Sequence, residues 1–276
     1  MSQEIQRLQS ICATVRKDIV EMVHRAGSGH PGGSLSAVEL LVGLYFSKLR
    51  HDPLNSGWAM RDRFFLSKGH ACPVLYSVLA RAGYFPVEEL GTLRKLESNL
   101  QGHPNMHKLN GLESSSGSLG QALSIANGAA LAAKMDKKDI RVYCLMGDGE
   151  LDEGQVWEAA MTAAQHKLNN VCAVVDFNKL QLDGSLESIK NLEPLTDKWK
   201  AFNWNVIEID GHDMEQVLAA YDQAAACTDK PSVIVAHTVK GKGVSFMENK
   251  AEWHGKAPNK EELELALEEI ERRLQP

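Results

Sequence analysis

A chain of 276 residues, 43% hydrophobic and 24% charged, is long enough to bury a large core. Its net charge of −6 and pI near 5.9, with Lys and Arg scattered, exclude a nucleic-acid surface. The segment from Met1 to Arg16 is too polar for a signal peptide, and no apolar run is long enough to span a membrane, so neither export nor membrane insertion is expected.

In chain order, Gln3–Ala26 reads as a helix, with Ile5, Leu8, Ile11 and Cys12 on one side and Val15, Ile19, Met22 and Val23 continuing it. Residues 27–34 form a Gly-rich loop and 35–49 a second apolar helix. Residues 62–66 are a short strand or an extended entry, Cys72–Ala82 is a helix, and 86–91 starts another. Residues 100–116 make a long polar loop with two histidines. A helix over 117–135 is crowded with small residues. That suits close packing against a sheet and another subunit, or simply a stable Ala-rich helix. Strands are expected at 140–146, 171–175, 205–209 and Ser232–His237, with helices at 155–168 and 214–227 between them. Residues 260–274 form an amphipathic helix with Leu263, Leu267, Ile270 and Leu274 in one stripe. The alternation implies an α/β fold, a largely parallel sheet with helices on both faces. No Pro/Gly linker divides the chain, so 1–276 reads as one domain. Cys12, Cys72, Cys144, Cys172 and Cys227 are widely spaced and read as reduced hydrophobes of a cytoplasmic protein, with no zinc-like clustering.

The densest chemistry lies between Met146 and Gly184. Gly147-Asp148-Gly149 follows one strand, and Asn178, thirty positions after Asp148, follows the next. Two strands thereby deliver a carboxylate and an amide oxygen to one sheet edge. With the Leu180 backbone carbonyl they give three hard oxygen donors, which suits Mg²⁺ holding a diphosphate, with Ca²⁺ or Mn²⁺ as substitutes. Gly147 and Gly149 let the backbone turn sharply and approach phosphate. The helix at 155–168 aims its N-terminus at the same place, which favours an anion. Gly-Asp-Gly alone is an ordinary turn. The full order of strand, acidic Glu150, Asp152 and Glu153, helix, second strand and Asn178 reads as a metal-held diphosphate site.

This pattern resembles the thiamine-diphosphate motif, and the surrounding words resemble transketolase. They are Ser28-Gly29-His30-Pro31-Gly32, Asp62-Arg63-Phe64-Phe65-Leu66-Ser67-Lys68-Gly69-His70, Gly102-His103-Pro104, Gly117-Ser118-Leu119-Gly120-Gln121 and His254-Gly255-Lys256-Ala257-Pro258. They occur in the family's order along nearly the whole chain. The resemblance implies a thiamine-diphosphate-binding fold and transfer of a two-carbon ketol unit from a ketose phosphate to an aldose phosphate, the chemistry of the pentose phosphate pathway. It implies that His30, His70, His103 and His254 surround the substrate carbonyl and hydroxyls, with His70 and His254 also reaching the diphosphate. Gly117 and Leu119 would present backbone groups to the aminopyrimidine, Leu182 would pack on the cofactor rings, and Glu153 matches a subunit-interface position. Ser118 departs from the Pro common in the family.

Only the family's N-terminal, diphosphate-binding half is matched. The pyrimidine-binding domain, which carries the glutamate that activates the aminopyrimidine, is absent from this sequence. The expectation is therefore the N-terminal subunit of a split transketolase, active with a complementary C-terminal subunit in an α₂β₂ heterotetramer. Rival readings are a subunit of another thiamine enzyme, of the oxo-acid dehydrogenase α or deoxyxylulose-phosphate synthase type, and a non-catalytic partner-binding paralogue. His212, in Asp210-Gly211-His212-Asp213, looks like a strand-end loop near the site and has no assigned role. The turn from His237 to Gly243 either lines the cofactor or is a plain loop.

Overall fold

A computed structural model describes residues 2–272. Helix α1 (Gln3–Ala26) starts at Ser2, whose hydroxyl accepts from the Ile5 N–H, and stops at Gly27 in the left-handed conformation (φ 64°). Its stripe of Leu8, Val15, Ile19 and Val23 has no exposed surface. Each such side chain contributes about 1.5–3 kcal/mol of burial. The apolar segment expected as one helix over 35–49 is instead α2 (Pro31–Leu35), α3 (Val38–Gly43) and a wide π turn, Leu44–Lys48. The break falls where the Ser36 hydroxyl donates to buried Asp176 at 2.5 Å and Ala37 leaves helical geometry (φ −96°, ψ 5°). A tertiary hydrogen bond to the side chain overrides local helical preference there.

Strand β1 (Arg63–Leu66) and α4 (Cys72–Ala82) follow, and the helix expected from Pro86 is a 3₁₀ segment, Val87–Thr92. Helix α5 (Ala122–Met135) begins five residues later than the pattern suggested. Gly120 at φ 79° forces a turn, and a Cβ on it would lie 2.8 Å from the Glu153 Cβ. Then come β2 (Val142–Gly147), α6 (Gly154–Gln165), β3 (Val171–Phe177), α7 (Leu186–Ile189), α8 (Leu195–Ala201), β4 (Asn205–Asp210), α9 (Met214–Ala226), β5 (Ser232–His237) and α10 (Lys260–Arg272). Helices α7 and α8, four and seven residues long, are too short to show a period in sequence. Leu274, expected in the last helix, lies outside the described residues.

The five strands are all parallel in the order β1-β2-β3-β5-β4. Alternation sends Leu145, Cys172, Val174 and Ile234 into a core with α1, α3, α4 and α9. Their neighbours Cys144, Ala173, Val175 and Val233 enter a second core with α5, α6 and α8. Every residue of β2 and β3 is buried, as befits central strands covered on both faces. The register sets Gly147 beside Asp176 and Phe177 beside His237, so the carboxyl ends of β2, β3 and β5 finish level. The loops leaving those ends carry Asp148, Asn178 and Lys240, and Lys68 follows the adjoining end of β1.

Candidate active site

Asp148, 2% exposed, accepts hydrogen bonds from the N–H of Gly149 (2.8 Å) and of Lys179. The Asn178 amide oxygen accepts from the Leu180 N–H (3.1 Å), while its nitrogen donates to Asp176 (3.3 Å). The Leu180 carbonyl accepts from the Lys240 ammonium at 2.9 Å. These bonds draw Asp148, Asn178 and Leu180 into one corner. Burial, and then the charge of Asp176, push the Asp148 carboxyl up to about 7. A donor set made of carboxylate, amide and carbonyl oxygens fits a hard divalent ion, whose charge would favour the ionised form of this buried carboxyl. Among the described residues no three His, Cys, Asp or Glu side chains gather as a metal site.

The Gly147 and Gly149 amides, read in sequence as phosphate donors, have partners within the chain. Gly147 donates to Glu150 (3.0 Å) and Gly149 to Asp148. Glu150, read only as part of the acidic context, is a buried organiser. It also accepts from the Gly120 N–H (2.8 Å) and the Ser67 hydroxyl, tying the 117–121 turn to the ends of β1 and β2.

Lys240 is the residue that sequence reasoning passed over; the signal was its glycine-rich setting, Lys240-Gly241-Lys242-Gly243. It is 2% exposed, and its ammonium lies 3.0 Å from His254 Nδ1. Burial lowers its pKa to about 8, although Asp148 and Asp176 pull the other way. The loop that carries it is fastened at three points. The Gly241 N–H donates to the Gly32 carbonyl (3.0 Å), Arg16 donates to the Lys242 carbonyl (3.1 Å), and the Val239 N–H donates to His212 Nε2 (2.8 Å). His212 Nδ1 in turn faces Glu39 at 3.0 Å, and Glu39 accepts from Arg16 at 2.7 Å. His212 is thus a brace for this loop.

The four loop histidines converge. Ring centroids are 5.3 Å apart for His30–His70, 5.4 Å for His30–His254, 5.0 Å for His70–His254 and 6.2 Å for His30–His103. Burial is the first cause that keeps all four neutral. It lowers His30 to about 4, with Arg94 adding to the effect, and His254 to about 3, with Lys240 adding. His70 falls by burial and then Lys68, and His103 by burial and then Arg94. His30 Nδ1 is buried without a partner, so an acceptor or donor is free to face a ligand. The lysine ammonium beside His254 can only donate, so Nδ1 accepts and Nε2 carries the proton.

Of the remaining predicted residues, Gly117 stands against the His103 ring, 3.8 Å from a Cβ built there. Leu119 is half-buried, Glu153 is exposed at the start of α6, and Leu182 is 61% exposed. A groove lined by Ser67, Ser116, Gly117, Gln121 and Ile125 opens alongside. The histidines read as structural or surface sit apart from the cluster: His24 contacts the Pro258 carbonyl, His51 stacks on Tyr84, and His107 and His166 are exposed.

Parallel sheets that present a carboxylate, an amide and neutral imidazoles at adjoining strand ends belong to the α/β enzymes that bind an anionic cofactor there. The chain belongs to the transketolase family: residues 8–271 match its thiamine diphosphate binding domain. It is 45% identical over 272 residues to a 6-deoxy-6-sulfo-D-fructose transketolase subunit of Clostridium sp., covering 99% of both chains. It is 43% identical to an apulose-4-phosphate transketolase subunit of Phocaeicola vulgatus, covering 94% of this chain and 92% of that one. Human transketolase is 39% identical over 99% of this chain, which spans only 43% of the human protein. The crystal structure of transketolase from Campylobacter jejuni superposes with a TM-score of 0.92 at 36% identity, over 98% of this chain and 43% of that one. The chain therefore matches transketolase subunits end to end and spans about two fifths of the fused enzymes. Among the described residues no helix is long and apolar enough to cross a membrane.

Proposed function

We propose that this chain is the diphosphate-binding subunit of a split transketolase, carrying one domain and completed by a C-terminal, pyrimidine-binding subunit in an α₂β₂ assembly. The convergence of His30, His70, His103 and His254 above the Asp148–Asn178 corner carries the reading. The subunit-length relatives and the open groove beside Gly117 support a partner chain closing over the site. Asp148, Asn178 and the Leu180 carbonyl would hold Mg²⁺. Lys240 would meet the diphosphate as a second cation, with His70 and His254 beside it.

When bound, thiamine diphosphate supplies an electron sink that lets the bond beside a ketose carbonyl break. The protein residues bind and move protons around it. Neutral His30 and His103 can donate to or accept from substrate hydroxyls near pH 7, which a cationic ring could not do in both directions. Glu153 at the start of α6 and Leu182 in the exposed loop would meet the partner and the cofactor rings. The substrates would be a ketose phosphate donor and an aldose phosphate acceptor. The five free cysteines, four of them buried, fit a cytoplasmic setting.

The test is an assay of the purified chain with thiamine diphosphate, Mg²⁺, a ketose phosphate and an aldose phosphate, with and without the co-purified partner. Ketol transfer is expected only with the partner. Robust turnover by the chain alone would overturn the split-subunit reading.

A further inference from the structure

Asp176, at the penultimate position of the central strand β3, stands at the carboxyl edge of the sheet and has no exposed surface. One carboxylate oxygen accepts from the Ser36 hydroxyl (2.5 Å), from the Lys68 ammonium and from the Asn178 amide nitrogen (3.3 Å). The other accepts from the Thr238 hydroxyl. Four donors thus arrive from four places: the α2–α3 junction, the end of β1, the loop after β3 and the end of β5. Lys68, 2% exposed, also donates to the Gly33 carbonyl (2.9 Å). Its stem runs beneath Gly147, where a Cβ would sit 3.5 Å from the lysine Cδ.

A buried ion pair is weak evidence for stability, because apolar residues of similar volume often serve as well. Its geometry toward Asn178 is more telling. An ionised carboxylate can only accept, so the Asn178 atom that faces it must be the amide nitrogen. The amide oxygen is thereby turned away, toward the Leu180 N–H. Asp176 itself is engaged by four donors, three on one oxygen and one on the other.

We propose that Asp176 is a positioning residue that fixes the orientation of the Asn178 amide, so that its oxygen is presented to a divalent cation shared with Asp148. Lys68 is its counter-charge, and Ser36 and Thr238 hold the carboxylate still. This rests on the metal-site reading given under Proposed function.

The test compares two neutral double variants in the assembled complex, Lys68→Met with Asp176→Asn and Lys68→Met with Asp176→Leu. Both lack the ion pair, but only the first keeps an acceptor for Asn178. Mn²⁺ affinity is measured from the free-ion paramagnetic resonance signal in the presence of thiamine diphosphate, and folding from thermal melts. The asparagine variant should stay within a few-fold of wild type, and the leucine variant should bind Mn²⁺ about 10- to 100-fold more weakly, the usual cost of losing a partner that orients a metal ligand. Lys68→Met with Asp176→Ala provides a second apolar arm should leucine overpack. Equal affinities in the asparagine variant and a folded apolar variant would overturn the proposal. Failure of the wild-type complex to bind Mn²⁺ would instead overturn the metal-site reading beneath it.

Discussion

The Lys240 ammonium donates to His254 Nδ1 at 3.0 Å while it also holds the Leu180 carbonyl at 2.9 Å. One buried cation therefore links the Asp148–Asn178 corner to the histidine cluster. Replacing it with Lys240→Met should leave the fold intact and weaken thiamine diphosphate binding by roughly 10- to 100-fold, the equivalent of about 1.5–3 kcal/mol for a charge-assisted hydrogen bond. Tryptophan fluorescence titration of the assembled complex reads this directly. Unchanged affinity would remove Lys240 from the diphosphate site.

Asp148→Asn separates function from stability. With its pKa raised to about 7, the Asp148 carboxylate is disfavoured in the folded metal-free chain. Its burden on stability grows as pH rises from about 4 to about 7 and is complete above that. The asparagine variant should lose metal-dependent cofactor binding yet melt no lower than wild type, and up to a few degrees higher, in metal-free buffer at about pH 8. Retention of metal-dependent binding would refute the ligand assignment.

The histidines give a pH dependence of opposite sense. His30 at about 4 and His254 at about 3 are neutral in the fold, whereas unfolded histidine takes up a proton near 6.5. The unfolded state therefore binds more protons below 6.5, and stability falls as pH drops from about 6.5 toward about 4. Urea midpoints of the Asp148→Asn chain, in which, among the described residues, only Glu150 keeps an opposing carboxylate slope against four histidines, should be lower at about pH 5 than at about pH 7.5. Adding His30→Asn and His254→Asn should shrink that difference, with His70 and His103 supplying what remains. A midpoint that does not move with pH would contradict the assigned neutrality.

His212→Ala should act through the brace of the Lys240 loop. It leaves the Val239 N–H without a partner and strips the buried Glu39 carboxylate of one of its donors, with Arg16 remaining, at a cost of about 1–3 kcal/mol. A thermal midpoint lower by several degrees is expected, with weaker thiamine diphosphate binding as the loop loosens. Loss of stability with cofactor affinity fully retained would restrict His212 to a structural role.

Much of this was legible from residue order. Alternating apolar runs and Ala-rich helical segments announce a parallel sheet covered on both faces, because a strand buried on two sides must be apolar throughout. The words around His30, His70, His103 and His254 point to the family and to the histidines that the fold gathers. The Gly-Asp-Gly and Asn pair marks the sheet edge, since each follows a strand directly.

What remained hidden depends on contacts between distant segments. The helix break at Ser36 is set by Asp176, 140 positions away. The late start of α5 goes with the left-handed turn at Gly120 (φ 79°), whose N–H is held by Glu150, 30 positions away. The turn holding Lys240 read as cofactor-lining or plain loop and His212 as a loop near the site without a role, because nothing in their neighbours reveals burial beside Leu180 or a bond to Glu39. Sequence by itself determined the family and placed the Gly-Asp-Gly turn and Asn178 at strand ends, since hydrophobic period and motif are local properties. Only the tertiary structure decided their protonation and orientation, because desolvation and hydrogen-bond partners come from elements that meet across the sheet edge.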